Sequence, residues 1–254
     1  LADVDGTLVT QDKVLTDQAV AAARQLHEAG ITLALTSGRP PRGMSMLIAP
    51  LRLEGAIAGF NGGVFVHPDL SVIESHLLDP ATAKETLQLI LDQGLDAWVY
   101  TEKEWLIRDP KAPHVARESW TVKFDAKVVS SFTDAHLAKV AKIVGVSDDL
   151  DRVAACEKAA QKKLEERASA ARSQPYYLDV TNPQANKGTV VLTLAKLNDI
   201  SPVQIATIGD MPNDVLMFRK SGLAIAMGNH DKFNEFTATG EYKAPEALLM
   251  RLEY

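Results

Sequence analysis

The sequence predicts an α/β fold: a parallel-sheet core interrupted by a large inserted α/β segment. Three observations point to it. Short apolar strands alternate with amphipathic helices up to residue 79 and again after Pro183, the pattern of a parallel sheet covered by helices. The stretch between mixes strands and helices in no regular order. Polar clusters, finally, recur at the ends of the apolar strands. The expected division is therefore 1–79 with 184–254 as one unit and 80–183 as the insert.

Taken in order, Leu1 to Asp3 is the tip of a first strand. An ordinary strand has about five residues, so further residues are expected to precede Leu1. Thr16 caps a helix to about Glu28, with Asp17 in its first turn, Ala19, Ala23 and Leu26 at helical spacing, and Gly30 at its end. Ile31 to Leu35 reads as a buried parallel strand, and Pro40 and Pro41 open a helix to about Ala49. Ala56 to Phe60 is a third strand, ending at Asn61-Gly62-Gly63. Val64 to His67 and Val72 to Leu77 form a hairpin around Pro68-Asp69.

In the insert, Asp79 caps and Pro80 starts a helix to about Gln93. Strand-like runs follow at Ala97 to Thr101, Trp105 to Arg108, Val122 to Val129 and Ile143 to Val146. Asp149 to Arg167 is a charged, Ala-rich helix and Tyr176 to Thr181 a strand. The alternation then resumes with a helix from Gly188 to Leu197, a strand from Val203 to Ile208, a helix from Pro212 to about Lys220, and a strand from Leu223 to Met227 that ends at Gly228-Asn229.

Composition narrows the function. The 254 residues carry a formal net charge of -6, which argues against a general nucleic-acid-binding surface. A small phosphorylated substrate stays compatible, because a metal and a few local cations outweigh the global charge. Cys156 is the single cysteine, so no intramolecular disulfide forms, in keeping with a reducing cytoplasm. The sequence has neither a signal peptide nor an apolar run of the roughly 18 residues that span a bilayer.

The chemistry concentrates in four clusters. Asp3 and Asp5 stand two positions apart on a strand, so both carboxylates leave its tip in one direction. Like charges that close repel, and a divalent cation beside them relieves the repulsion. Gly6 permits a sharp turn and Thr7 offers a hydroxyl. Ser37-Gly38, Lys187 and Asp210/Asn213/Asp214 likewise follow strands or start helices. Parallel strands bring such positions to one sheet edge, where α/β folds build their sites. Singly, each cluster has an ordinary reading as a loop, a surface lysine or a helix start. Jointly, they supply paired carboxylates, an anion-binding hydroxyl and amides, and a cation.

These residues resemble a known family. Asp3-Val4-Asp5-Gly6-Thr7, Thr36-Ser37-Gly38-Arg39, Lys187-Gly188 and Gly209-Asp210-Met211-Pro212-Asn213-Asp214 look like the four ordered motifs of haloacid dehalogenase-like phosphohydrolases. The large insert between the second and third is similar to the Cof-like subfamily. The resemblance implies a Rossmann-like core with an inserted α/β cap and a Mg2+-dependent phosphatase acting on a small phosphorylated metabolite, with neither nucleic acid nor membrane as partner. It implies that Asp3 attacks phosphorus to give an aspartyl-phosphate and that Asp5 is the general acid and base. Mg2+ would be held by the Asp3 carboxylate, the Asp5 backbone carbonyl and Asp210, with Asp214 orienting Lys187 or metal-bound water. Ser37 and the Gly38 amide would hold phosphoryl oxygens, Lys187 would neutralise charge, and Asn213 would reach the phosphoryl group or the metal shell. A phosphomutase and a non-catalytic metabolite-binding protein are the alternatives on the same fold.

Several residues stay open at this stage. Asn61 contacts substrate or forms a turn, and Arg39 binds an anionic substrate or pairs with a core carboxylate. Asn229 is expected in a turn near the site. His67, His114 and His230 lack metal-ligand spacing and are expected at the surface. Trp98, Trp105 and Trp120 are expected in the core of the insert, Cys156 as a buried small residue, and Lys158 to Arg167 as a solvated face.

Overall fold

The structure, a computed structural model, describes residues 1–227. The expected turn at Gly228-Asn229 and the surface position of His230 lie outside the described residues. The chain begins with β1 (Ala2–Asp3), α1 (Asp17–Glu28), β2 (Leu35–Thr36), α2 (Ser45–Leu51), β3 (Ile57–Gly59), β4 (Val64–Val66) and β5 (Val72–Ser75). It continues through α3 (Pro80–Asp92), β6 (Asp96–Thr101), β7 (Trp105–Ile107), α4 (Val115–Val122), β8 (Lys127–Val128), α5 (Asp134–Leu137), β9 (Val140–Val146), α6 (Leu150–Leu164), β10 (Ser169–Gln174) and β11 (Tyr177–Thr181). It closes with α7 (Lys187–Leu197), β12 (Ala206–Gly209), α8 (Val215–Phe218) and β13 (Leu223–Ala226).

Helix starts follow the expected side-chain chemistry. Thr16 accepts from the Ala19 amide, Asp79 from Ala81 and Thr82, Asp149 from Arg152, and Asn186 from Thr189. Each satisfies a backbone donor that the first helical turn leaves without a partner.

The strands form two sheets. The seven-stranded sheet has the order β13-β12-β1-β2-β3-β4-β5. Its first five members run parallel, and β4 and β5 extend it as an antiparallel hairpin. Two-residue β1 lies in the middle, with Ala2 opposite both Ile208 and Leu35 and Asp3 opposite Thr36. Asp3, Ser37, Asn61 and Asp210 therefore leave the same edge. The six-stranded sheet, order β10-β11-β9-β6-β7-β8, is antiparallel except between β7 and β8.

Alternation assigns each face of the second sheet a task. Ala97, Val99, Leu106, Ile143, Leu178 and Val180 pack with residues of α3 and α6. The opposite face carries Trp98, Tyr100, Trp105 and Tyr177, and it packs with Val4, Met44 and Phe60 of the parallel-sheet part. Trp105 lies 5.2 Å from Trp98 and stacks on Tyr100 at 5.7 Å, while Phe60 meets Tyr100 edge-on at 5.5 Å. The two crossings of chain between the sheets are tied together: the Asn182 side-chain amide donates to the Leu77 carbonyl at 2.8 Å.

Several expectations are corrected. Val122 to Val129 is not a strand: Val122 ends α4, and only Lys127–Val128 pairs, as edge strand β8. Its packing explains this, since α4 lies against the turn Pro41–Met44 and the Val122 backbone stands over Gly43. Ile31 is 55% exposed, and the second strand begins only at Leu35. Pro41–Met44 and Pro202–Gln204 are 3-10 turns, which delays α2 and β12. β10 and α5 are additions. Trp120 is 48% exposed, with Lys123 over its ring, rather than in the core. Cys156 is buried, and burial pushes its thiol up to about 11. His67 is exposed, and His114 is half-buried, stacked on Tyr176 with Asp148 2.8 Å from its Nε2. No helix among the described residues is long and apolar enough to cross a membrane.

Candidate active site

Asp3 is buried where β1 ends. Its Oδ1 accepts from Lys187 Nζ at 2.5 Å, and Thr7 Oγ1 lies 3.4 Å from its Oδ2. Lys187 is the first residue of α7, placed there by the Asn186 cap, and it also donates to Asp214 Oδ1 at 2.5 Å. A lysine only 2% exposed between two buried carboxylates is a charged triad with an imposed geometry. Burial alone would lower the Lys187 pKa, but the charges of Asp3 and Asp214 and their hydrogen bonds hold it above its ordinary value. Asp3 is pushed up by burial, partly offset by Lys187, to about 6.

Asp210 follows β12, and Asp214 closes the 3-10 turn Pro212–Asp214. Asp214 Oδ2 accepts from the amides of Asp210 and Met211 at 2.9 and 2.8 Å, so both its oxygens are engaged. Asp210 differs. It is 3% exposed and its Oδ1 is buried without a hydrogen-bond partner. Burial, then the charges of Asp3 and Asp214, raise its pKa to about 7. Carboxylate oxygens of Asp3, Asp210 and Asp214 lie within 4.8 Å of one another. A buried, partnerless carboxylate oxygen beside two more hard donors fits a hard divalent cation such as Mg2+. Gly6, at φ 86°, passes so close that a Cβ there would strike the Asp210 carboxylate. The first motif and the fourth are thus interlocked by backbone contact.

Asp5 points elsewhere. Arg39 grips it through two hydrogen bonds, Nε to Oδ2 at 2.8 Å and Nη2 to Oδ1 at 2.6 Å. Lys13 adds a third, to Oδ1 at 2.7 Å. Burial would push the Asp5 carboxyl up, but the hydrogen bonds and charges of Arg39 and Lys13 win and hold it below its ordinary value. Of the two openings left for Arg39 by the sequence, this structure realises the carboxylate pairing. Lys13 was not legible as a site residue: it sits in a polar loop with no motif, and only the fold brings it to Asp5.

Ser37 is buried after β2, where its Oγ accepts from the Arg39 amide at 3.2 Å. Gly38 is exposed, and the Asn61 side chain stands over its Cα, 3.6 Å from where a Cβ would lie. The helix start expected after Ser37-Gly38 is the 3-10 turn Pro41–Met44. Phe60 and Asn61 have φ of 53° and 56°, successive left-handed residues that carry strain, tied down by Phe60 N to Arg39 O and Asn61 N to Ser37 O. Asn61 Oδ1 is buried without a partner. Asn213 is exposed on the turn between Asp210 and Asp214 and takes no part in the hydrogen bonds around Asp3.

Comparison with known proteins places the chain among relatives of one family. A model of the haloacid dehalogenase-like hydrolases matches residues 1–233. The chain is 25% identical over 229 residues to the HMP-PP phosphatase of Cronobacter sakazakii, covering 89% of this chain and 82% of that protein. Among solved structures, a haloacid dehalogenase-like hydrolase from Bacteroides thetaiotaomicron superposes with a TM-score of 0.84 at 24% identity, covering 92% of this chain and 90% of the other. The sugar phosphatase BT4131 superposes with a TM-score of 0.76 at 17% identity, covering 92% and 89%. With its ordered motifs gathered at one sheet edge and its family model matched almost end to end, the chain belongs to the haloacid dehalogenase-like hydrolases.

Proposed function

We propose that this hydrolase is a Mg2+-dependent phosphatase that removes the phosphoryl group from a small phosphorylated metabolite through an aspartyl-phosphate. One observation carries the reading: Asp3 is buried, fixed by Lys187 and Thr7, and set beside the partnerless Asp210 Oδ1. Such a carboxylate is pre-positioned as a nucleophile and pre-charged for a metal.

An Asp3 carboxylate oxygen attacks phosphorus, and the bond from phosphorus to the leaving oxygen breaks. Asp5, ionised here in the grip of Arg39 and Lys13, must first leave them and take up a proton from solvent; it then gives that proton to the leaving oxygen and takes one from water as the hydroxyl attacks the aspartyl-phosphate, releasing phosphate and restoring Asp3. Ser37 and the Gly38 amide hold phosphoryl oxygens, with Asn61 beside them and Asn213 at the rim. Lys187 keeps Asp3 ionised and offsets charge on the phosphoryl group. Asp3, Asp210 and the Asp5 carbonyl would hold Mg2+, with Asp214 behind Lys187, and the bound cation would supply charge that lets an anion approach an anion.

Residues 80–183 form the cap in this reading, and 1–79 with 184–254 the catalytic unit. The cap covers the site and excludes water during transfer. The relatives named for HMP-PP and for sugars support a small metabolite as substrate. The acidic net charge and single cysteine agree with a cytoplasmic enzyme that engages neither nucleic acid nor membrane.

The test is phosphate release from a panel of phosphorylated metabolites, with Mg2+ or EDTA, comparing wild type with Asp3→Asn. Release that needs Mg2+ and vanishes in Asp3→Asn is expected. Undiminished release by Asp3→Asn removes Asp3 as nucleophile and the mechanism with it.

A further inference from the structure

Asp5 is one carboxylate held by two cations from different parts of the chain. Arg39 arrives from the loop after β2, and Lys13 from the turn between Val9 and Leu15, which bridge to each other. The Lys13 backbone is left-handed at φ 61°, a conformation that costs free energy for a side chain with a Cβ. The turn is locked by Thr10 N to Val14 O at 3.0 Å and Lys13 N to Thr10 O at 2.9 Å. It spends strain to carry Lys13 back over the site.

The donors there exceed the acceptors. A guanidinium has five N–H groups and an ammonium three. Arg39 uses Nε and Nη2 on Asp5 and Nη1 on the Gly43 carbonyl, and Lys13 uses one N–H on Asp5. Two cations thus share one carboxylate, leaving the cluster with a net positive charge; the Arg39 side chain is 3% exposed, whereas Lys13 is 20% and Asp5 30% exposed and open the cluster to a ligand. Glu118 on α4 also feels the Arg39 charge, though less than that of Lys142. It accepts the Tyr100 hydroxyl at 2.6 Å, and burial raises its pKa.

We propose that Lys13 and Arg39 together bind a second anionic group of the substrate, a carboxylate or phosphate on the leaving group next to the scissile phosphoryl. This rests on the phosphatase reading and names a substrate class for it. An anion there satisfies the spare N–H groups with charge-assisted hydrogen bonds. By competing for the two cations it also loosens their hold on Asp5, whose carboxyl then reaches the leaving oxygen. Lys13 is a specificity residue, and Arg39 both binds and positions.

The experiment compares matched phosphomonoesters: phosphoglycerate against glycerol phosphate for a carboxylate, and fructose bisphosphate against fructose phosphate for a phosphate. Wild type should favour the anionic member of at least one pair by about tenfold or more in kcat/KM, and Lys13→Met should erase that preference while Lys13→Arg keeps it. The same proteins are titrated calorimetrically with inorganic pyrophosphate and orthophosphate, which needs no turnover. Pyrophosphate should bind tighter to wild type, and Lys13→Met should remove the difference. Turnover of both members of each pair at equal efficiency, abolished by Asp3→Asn, leaves the phosphatase reading standing and overturns the second-anion site. A preference that survives Lys13→Met also overturns it. Selective pyrophosphate binding without turnover of any ester upholds the anion site and counts against the phosphatase reading.

Discussion

Replacing Lys187 by Met removes the cation that lies between Asp3 and Asp214. The side chain is 2% exposed, and both ion pairs are 2.5 Å long, so solvent cannot take its place. Breaking a buried pair while leaving its partner charged costs about 3–5 kcal/mol. In a chain of this length that is a fall in Tm of roughly 10 °C at neutral pH in EDTA. Acid should relieve the loss. Asp3 already has its pKa raised from 3.8 to about 6 with Lys187 present, chiefly by burial, and without the lysine it rises further. A carboxyl whose folded value lies above its unfolded value penalises the fold only once it ionises. The penalty is therefore absent below about pH 4 and complete above the folded value. Thermal unfolding of wild type and Lys187→Met at pH 5 and pH 8 measures this. A deficit under about 1 kcal/mol, or one equal at both pH values, refutes the picture of Lys187 as the counter-charge of the site.

Three further outcomes are expected. Gly59→Ala places a Cβ against the Pro41 ring and nitrogen, and overpacking there should cost about 1–3 kcal/mol and cut turnover by displacing the Ser37-to-Pro41 loop, read by urea unfolding and phosphate release. Asp210→Asn should raise the metal-free Tm at pH 8 by about 2–4 °C, because Asp210, with its pKa near 7, is destabilising when ionised, and Mg2+ should stabilise wild type but not the variant; equal shifts with Mg2+ would exclude Asp210 as a ligand. Trp105→Ala loses ring contacts with Trp98, Tyr100 and Phe124 and should destabilise by about 3–5 kcal/mol in chemical unfolding.

The parallel sheet was legible because its strands are buried on both faces and end abruptly in polar residues. Asp3, Ser37 and Asp210 stand at such ends, and the structure gathers Asp3 and Asp210 with Lys187 of α7 and Asp214 of the following turn into one buried cluster. What stayed hidden has physical reasons. β10 reads Ser-Ala-Ala-Arg-Ser-Gln and is mostly exposed at the sheet edge, so it carries no apolar alternation. Val122 to Val129 has strand-like composition, but α4 takes Val122 because the helix packs on Pro41–Met44. Lys13 owes its place to a left-handed turn and a partner on the opposite side of a loop, neither of which leaves periodicity behind. The exposure of Trp120 is likewise tertiary: α4 turns Val115 and Val122 inward and leaves the indole outside.

The hydrogen bond from Asn182 to the Leu77 carbonyl has a mechanical consequence. The two lengths of chain that lead into and out of the six-stranded sheet are tied at one spot, so they enter and leave it side by side. The aromatic face of that sheet packs with Val4, Met44 and Phe60, so the two sheets share one core beside the tie. A change of length or surface between Leu77 and Asn182, on the side away from that aromatic face, therefore leaves the tied ends and the shared core in place.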